Sequence, residues 1–247
     1  MTRFLYTFLT LSIFLFAESS LATAQSFSDA EKSEIEKIVQ DYIRKNPELV
    51  LQALEEIEKR QREEQDRRVK QLIFAHADQL ERDSGDPVLG NPDGDVTIVE
   101  FFDYQCGYCK RMTGPLMEFV KADGNVRLVV KEFPILGPAS TIAARASLGA
   151  LAQDKYEAFH LAMMAVRGKL DQETILQVAL EVGLDMEKLQ ASMNNPEIET
   201  QIRKSYRLAQ TLSISGTPAF VIGEDLLPGA VSQEVLRQSV EKARAAN

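Results

Sequence analysis

The stretch VEFFDYQCGYCKRM, residues 99–112, decides how this chain reads. It closes a β-branched and aromatic run, Val96 to Phe102 (VTIVEFF), which follows the turn sequence Asn91-Pro92-Asp93-Gly94 and reads as a strand. Helical spacing begins at Gly107 and continues to Val120. A strand that passes at once into a helix puts Cys106 at the helix N-terminus, where unpaired amides and the macrodipole favour a thiolate over a thiol. Cys106 is therefore the candidate nucleophile. Cys109, one helical turn further in, is placed to resolve a mixed disulfide and should be more buried and less ionised.

Cys106 and Cys109 are the chain's two cysteines, so neither a four-cysteine zinc site nor a framework of several structural disulfides can be built. A Cys-x-x-Cys pair alone also fits a static disulfide, half of a metal site or two inert core cysteines. An exported context and the preceding strand favour redox chemistry, and no metal site is expected.

Downstream, Asn125 to Phe133 (NVRLVVKEF) reads as a second strand and Pro138 to Ser213 is dominated by helical patterns. Pro218 to Ile222 is a further strand candidate, Leu226 to Val231 a possible partner strand and Ser232 to Arg244 a closing helix. The order is βαβ, a helical block, then ββα.

Upstream the texture changes. Residues 25–85 hold 26 charged side chains in 61 positions and one glycine, a helix-rich composition with a natural boundary near Gly85-Asp86-Pro87. Ser28 and Glu31 form a capping box, after which Ile35, Ile38, Val39, Tyr42 and Ile43 share a helical face. Asn46-Pro47 ends that helix and starts another, with Leu49, Val50, Leu51, Leu54 and Ile57 continuing an apolar face. Residues 58–68 (EKRQREEQDRR) carry no apolar side chain and read as a solvated helical strut, continuous from Pro47 to about Arg82. A rod of that length, roughly 50 Å at 1.5 Å per residue, outruns one globular core. Copies of residues 29–57 are therefore expected to pack as a homo-oligomerisation unit; the competing reading folds these helices back on their own domain.

At the start, Arg3, the apolar run from Phe4 to Ala17 and the small residues Ala22-Thr23-Ala24 read as a signal peptide, with cleavage expected after Ala24 and export of the mature chain. Residues 1–24 are thus the address, 25–85 the stalk with its strut, and 86–247 the second domain. The 247 residues are 45% hydrophobic, enough for packed domains. Their 28 basic and 37 acidic side chains give a net charge of −9 without a basic run, which excludes a phosphate-tracking, nucleic-acid-binding role.

VEFFDYQCGYCKRM, followed more than a hundred residues later by SGTPAFVIGEDLLPGAVS (residues 215–232), resembles the DsbA family of thioredoxin-fold thiol-disulfide oxidoreductases over about residues 86–247. The stalk is similar to a narrower set, the oligomeric suppressor-of-copper-sensitivity C and Com1-like disulfide isomerases. The resemblance implies an α/β thioredoxin fold with a helical insertion at about 138–213, behind the helical stalk, and a redox-active disulfide between Cys106 and Cys109. No cofactor is implied. Thr217-Pro218 matches the family's cis-proline loop, which with Gly107 and Tyr108 would meet a bound client. Cis is found in only about 5–6% of X–Pro bonds, so that assignment rests on the match. Glu100 matches a buried acid that assists proton transfer involving the second cysteine, and Lys131 on the next strand is expected as its counter-charge. Strong oxidants of the family carry histidine between the cysteines; Gly107-Tyr108 implies a milder redox poise.

The leading expectation is an exported disulfide isomerase or reductase. Its partners would be client proteins with disulfides or thiols and a membrane redox partner, either a reductase or an oxidase. A dithiol oxidase is the alternative, and a copper(I)-binding or holdase protein the alternative of another class. Met163, Met164, Tyr156 and Phe159 read as core, and His76 and His160 fall in unrelated segments, away from a common ligand set.

Overall fold

The computed structural model describes residues 27–246, so the signal peptide and its cleavage after Ala24 lie outside the described residues. The chain divides into two compact units between Lys59 and Arg60.

In the first unit, helix α1 spans Asp29–Lys45 and opens with the expected capping box: the Glu31 amide donates to Ser28 Oγ at 3.3 Å and the Ser28 amide to Glu31 Oε2 at 2.8 Å. Asn46 closes it, and Glu48 begins helix α2, Glu48–Ala75. The side chains predicted to share a face, Ile35, Ile38, Val39, Tyr42 and Ile43, are all exposed, as are Leu49, Val50, Leu51, Leu54 and Ile57.

The second unit begins earlier than the composition suggests. α2 ends at Ala75, seven residues short of the rod read from the charges, and after His76 the chain continues as helix α3, Ala77–Glu81. Ile73 and Leu80 are buried beside Val99, Phe101 and Val129 of the sheet, with Val69 and Leu72 packed against them. Burial of those side chains ties residues 69–81 to the thioredoxin unit, a preference that the high charge density around them masked.

Five strands form one sheet in the order β1 (Val88–Gly90), β3 (Val126–Glu132), β2 (Val96–Phe102), β4 (Ala219–Ile222), β5 (Asp225–Pro228). β2 and β3 are parallel, connected by helix α4 (Gly107–Asp123); the other pairs are antiparallel. β2 and β3 are buried on both faces, which is why they read as near-continuous apolar runs. One face carries Ile98, Phe102, Leu128 and Phe220 against α4; the other carries Val99, Phe101, Val129 and Val221. β1 was not foreseen: it is three residues long and ends on Gly90, at φ +71°, where a Cβ would lie 2.7 Å from the Val126 carbonyl oxygen.

The helical block between β3 and β4 comprises α5 (Pro138–Ala150), α6 (Tyr156–Ala165), α7 (Gln172–Glu181), α8 (Met186–Met193) and α9 (Pro196–Thr211), with one 3₁₀ turn at Leu151–Gln153. Helix α10 (Gln233–Ala246) closes the chain and buries Leu236 and Val240 in the same core as α4. This is a thioredoxin fold with a helical insertion.

Candidate active site

Cys106 is the N-cap of α4 in extended backbone conformation (φ −71°, ψ 113°), and its Sγ accepts the Cys109 amide at 3.3 Å. The cap position, normally filled by a serine or aspartate oxygen, is taken by a sulfur that gains from the same orphan donors. Asp103 organises the approach from β2. Its carboxylate accepts the Gln105 amide at 2.7 Å, the Leu136 amide at 2.9 Å and the Ser140 hydroxyl at 2.7 Å. The loop before the cysteine is thereby tied to the loop after β3 and to α5.

Both cysteines are free thiols and buried. Hydrogen bonding from the Cys109 thiol, opposed by partial burial and helped by the Thr217 side chain and the Cys109 and Tyr108 amides, brings the Cys106 thiol down to about 5. No histidine is among these groups. Cys109 moves the opposite way, its thiol held far above the ordinary range by its hydrogen bond to Cys106, by burial and by the nearby Glu100 charge. The pair is thus split into an ionised and a protonated sulfur at neutral pH.

The Thr217–Pro218 bond is cis, and as a thiol Cys106 donates to the Thr217 carbonyl oxygen at 3.2 Å. Tyr108 is 60% exposed, with the Arg111 guanidinium 4.3 Å above its ring. Glu100 lies on β2 facing the cysteine side of the sheet, fully buried, with Oε1 unpaired. Burial, and secondarily the Cys106 charge, push its carboxyl up to about 8.

Lys131 is not its counter-charge. In the β2–β3 register Val130 stands opposite Glu100 and Lys131 opposite Phe101, so alternation sends the lysine to the other face. There its ammonium, also buried, pairs with Asp86 and donates to the Gln79 carbonyl at 2.5 Å.

The sequence reading missed a buried polar cluster behind the loop. Tyr156 donates to Glu132 Oε1 at 2.9 Å; Tyr104 Oη lies 3.1 Å from the same oxygen and 3.0 Å from His160 Nδ1. Burial raises the Glu132 carboxyl well above its usual range and lowers the His160 imidazole to about 3, which leaves the imidazole neutral. The available signal was Lys131-Glu132, two adjacent charges that follow the apolar run Leu128-Val129-Val130 in a strand covered on both faces. On opposite faces of a covered sheet, each requires its own partner.

Met163, Met164, Tyr156 and Phe159 are core side chains. Among the described residues no group of three or more His, Cys, Asp or Glu is placed to hold a metal ion, and no helix is long and apolar enough to cross a membrane.

Residues 97–241 match the DsbA-like thioredoxin domain model. The chain belongs to the DsbA-like thioredoxin family. Residues 31–64 of this DsbA-like protein match the model described as the copper resistance protein ScsC N-terminal domain. A thioredoxin-like oxidoreductase from Silicibacter pomeroyi is 52% identical, with 69% of this chain and 98% of that one covered and a TM-score of 0.68. Proteus mirabilis ScsC in a transitional conformation is 28% identical, with 90% and 100% covered and a TM-score of 0.68. Among curated relatives, sodium/proton antiporters NhaA 1 of Mycobacterium strains are 29% identical over 164 residues; the aligned segment takes in 64% of this chain and 27% of the antiporters. The chain therefore spans about a quarter of the length of those relatives.

Proposed function

We propose that this chain is an exported thiol-disulfide oxidoreductase that works in the periplasm as a disulfide isomerase and reductase. The observation that carries the reading is the split pair: Cys106 thiolate held at the start of α4, Cys109 protonated beneath it.

In the first step the Cys106 thiolate attacks one sulfur of a client disulfide. The client S–S bond breaks, a Cys106–client disulfide forms and the other client sulfur leaves as thiolate. Resolution takes one of two routes. When a client thiolate attacks the client sulfur of the mixed disulfide, Cys106 is released unchanged and the client has exchanged one disulfide for another. When Cys109 loses its proton and attacks Cys106 Sγ, the client leaves reduced and Cys106–Cys109 becomes the redox-active disulfide. Glu100, beneath the pair, is the acceptor for that proton in its ionised form, which is favoured once Cys106 loses its charge in the mixed disulfide. Gly107, Tyr108 and the Thr217-Pro218 loop form the face that a client meets.

Reduction of the Cys106–Cys109 disulfide needs two electrons from a membrane partner. The likeness of residues 31–64 to the ScsC N-terminal domain supports assembly of several copies through residues 29–57. Linked sites raise the local concentration of attacking thiolate on one client and keep oxidases at a distance.

Scrambled ribonuclease tests the proposal. Recovery of activity at catalytic enzyme concentration, lost in Cys106→Ser, is expected. Activity confined to fully reduced ribonuclease would replace isomerisation by dithiol oxidation, a reading supported by the stability of the Cys106 thiolate. Full biological activity in Cys106→Ser would move the protein to the copper(I)-binding or holdase class.

A further inference from the structure

Four chain segments meet around Cys106, and their charges are one-sided. The segment that carries the cysteines brings Lys110 and Arg111, and Asp103 within it is buried and engaged with Gln105, Leu136 and Ser140. The loop after β3, tied in by Gln105 Nε2 donating to the Leu136 carbonyl at 3.0 Å, is FPILG (residues 133–137), without charge. Residues 213–218 (SISGTP), joined through Thr217, are also uncharged. The segment after α6 is joined by Lys110 Nζ donating to the Val166 carbonyl at 2.7 Å, and it brings Arg167. Lys169 beyond it is already paired with Asp171 at 3.4 Å. Among the described residues, no carboxylate lies within 4 Å of Lys110, Arg111 or Arg167.

A protein of net charge −9 therefore places Lys110, Arg111 and Arg167 on the segments that meet at its reactive sulfur, where Asp103 acts through space on Lys110. Two of them, Arg111 and Arg167, are exposed. Tyr108, two residues beyond Cys106 and 60% exposed, and Leu136 on the loop after β3, 49% exposed, offer apolar contact. Arg111 is held over the Tyr108 ring, so its charge is presented in a fixed place.

We propose that this basic rim selects client segments whose reactive cysteine is flanked by carboxylates. The proposal names the substrate class of the site and rests on Cys106 being the attacking thiolate. The negative chain as a whole pulls the other way, toward basic clients. For a short peptide the rim decides, because interactions beyond about 8 to 10 Å are screened at moderate ionic strength.

The test uses the mature chain and synthetic peptides that bear one cysteine as its mixed disulfide with 5-thio-2-nitrobenzoate, flanked by Glu, Gln or Lys. Cys106 thiolate attacks the peptide sulfur, the S–S bond breaks, and the coloured thiolate is released and read directly. Each rate is divided by that with dithiothreitol, which removes the intrinsic reactivity of the peptide. One exposed charge pair is worth about threefold, so two flanking charges give about tenfold for Glu over Gln at low salt, with Lys slower again. That preference falls toward unity in 1 M salt. The pair Arg111→Glu and Arg167→Glu, both surface changes, inverts the order.

Equal rates for the three peptides, a preference for Lys, or an order that survives the double reversal would each overturn the proposal while leaving the thiolate reading intact. Failure of every peptide to react overturns both.

Discussion

Replacing Cys109 by alanine removes the largest influence on the Cys106 thiol, the hydrogen bond from the second sulfur, while the backbone amides of Tyr108 and Cys109 remain. A hydrogen bond to a charged group contributes about 1.5–3 kcal/mol, and 1.36 kcal/mol corresponds to one pH unit, so the Cys106 midpoint should rise by about one to two pH units. In the unaltered reduced protein the midpoint lies at about 5. Thiolate absorbance near 240 nm, followed from pH 3 to pH 9, should show one ionising sulfur, with Cys109 silent because its thiol is held far higher. Iodoacetamide gives an independent reading. At pH 6 Cys106 is about nine-tenths thiolate, against about 0.3% for an ordinary thiol at about 8.5. Nucleophilicity falls with acidity, with a Brønsted slope of about 0.4–0.5, so the net advantage over free glutathione is about five- to tenfold. A midpoint near 8, or one unmoved by Cys109→Ala, would refute the division of labour between the two sulfurs.

Glu100→Gln keeps the shape of the buried carboxyl but cannot ionise. Because the native carboxyl is raised to about 8, the folded state holds a proton that the unfolded chain gives up near the ordinary carboxylate value, so stability falls as pH rises from about 4.5 to 8. The variant should be equal to the parent at pH 4 and more stable by about 3 kcal/mol at pH 7 in urea unfolding, yet slower in resolving the mixed disulfide. Tyr156→Phe deletes one donor to Glu132 and should cost about 1–2 kcal/mol, measured the same way. Ile38→Glu combined with Leu51→Glu should turn an oligomer into a monomer by light scattering and leave the Cys106 titration untouched; an unaltered mass would place assembly elsewhere.

Much of the site was legible because it is local. Strand β2, the cap at Cys106 and the start of α4 occupy a dozen consecutive residues, and a helix N-terminus directly after a buried strand fixes which sulfur is ionised. What escaped the sequence depends on register and on contacts distant along the chain. Lys131 was assigned to Glu100 because both are charges on adjacent strands; one residue of register separates the faces they occupy, and Asp86, read as part of a boundary turn, proves to be the buried partner. β1 is too short to show a period, and the docking of Ile73 and Leu80 is invisible beneath a charged composition. His160 and Glu132 sit 28 residues apart in segments that share no pattern, and they are joined through Tyr104, which bonds both, and Tyr156, which donates to Glu132 and stacks on His160.

Lys131 and Asp86 are both about 2% exposed, and Gln201 also donates to Asp86, at 2.7 Å. Taking either charge out of water is costly, and the partner's attraction offsets this only while both are present. Lys131→Met should therefore cost about 3–5 kcal/mol, since it leaves the buried Asp86 carboxylate without its ammonium partner, held by the Gln201 amide. Asp86→Leu in the same chain removes the stranded charge and should restore most of the loss, a double-mutant coupling of several kcal/mol. The pair lies on the face of the sheet opposite Glu100, so the Cys106 midpoint should be the same in all three variants. Additive losses, with no recovery in the double variant, would mean that the ammonium is held chiefly by the Gln79 carbonyl. A Cys106 midpoint that moved with Lys131 would mean instead that charge on this face reaches the sulfur through the sheet, against the alternation that separates them.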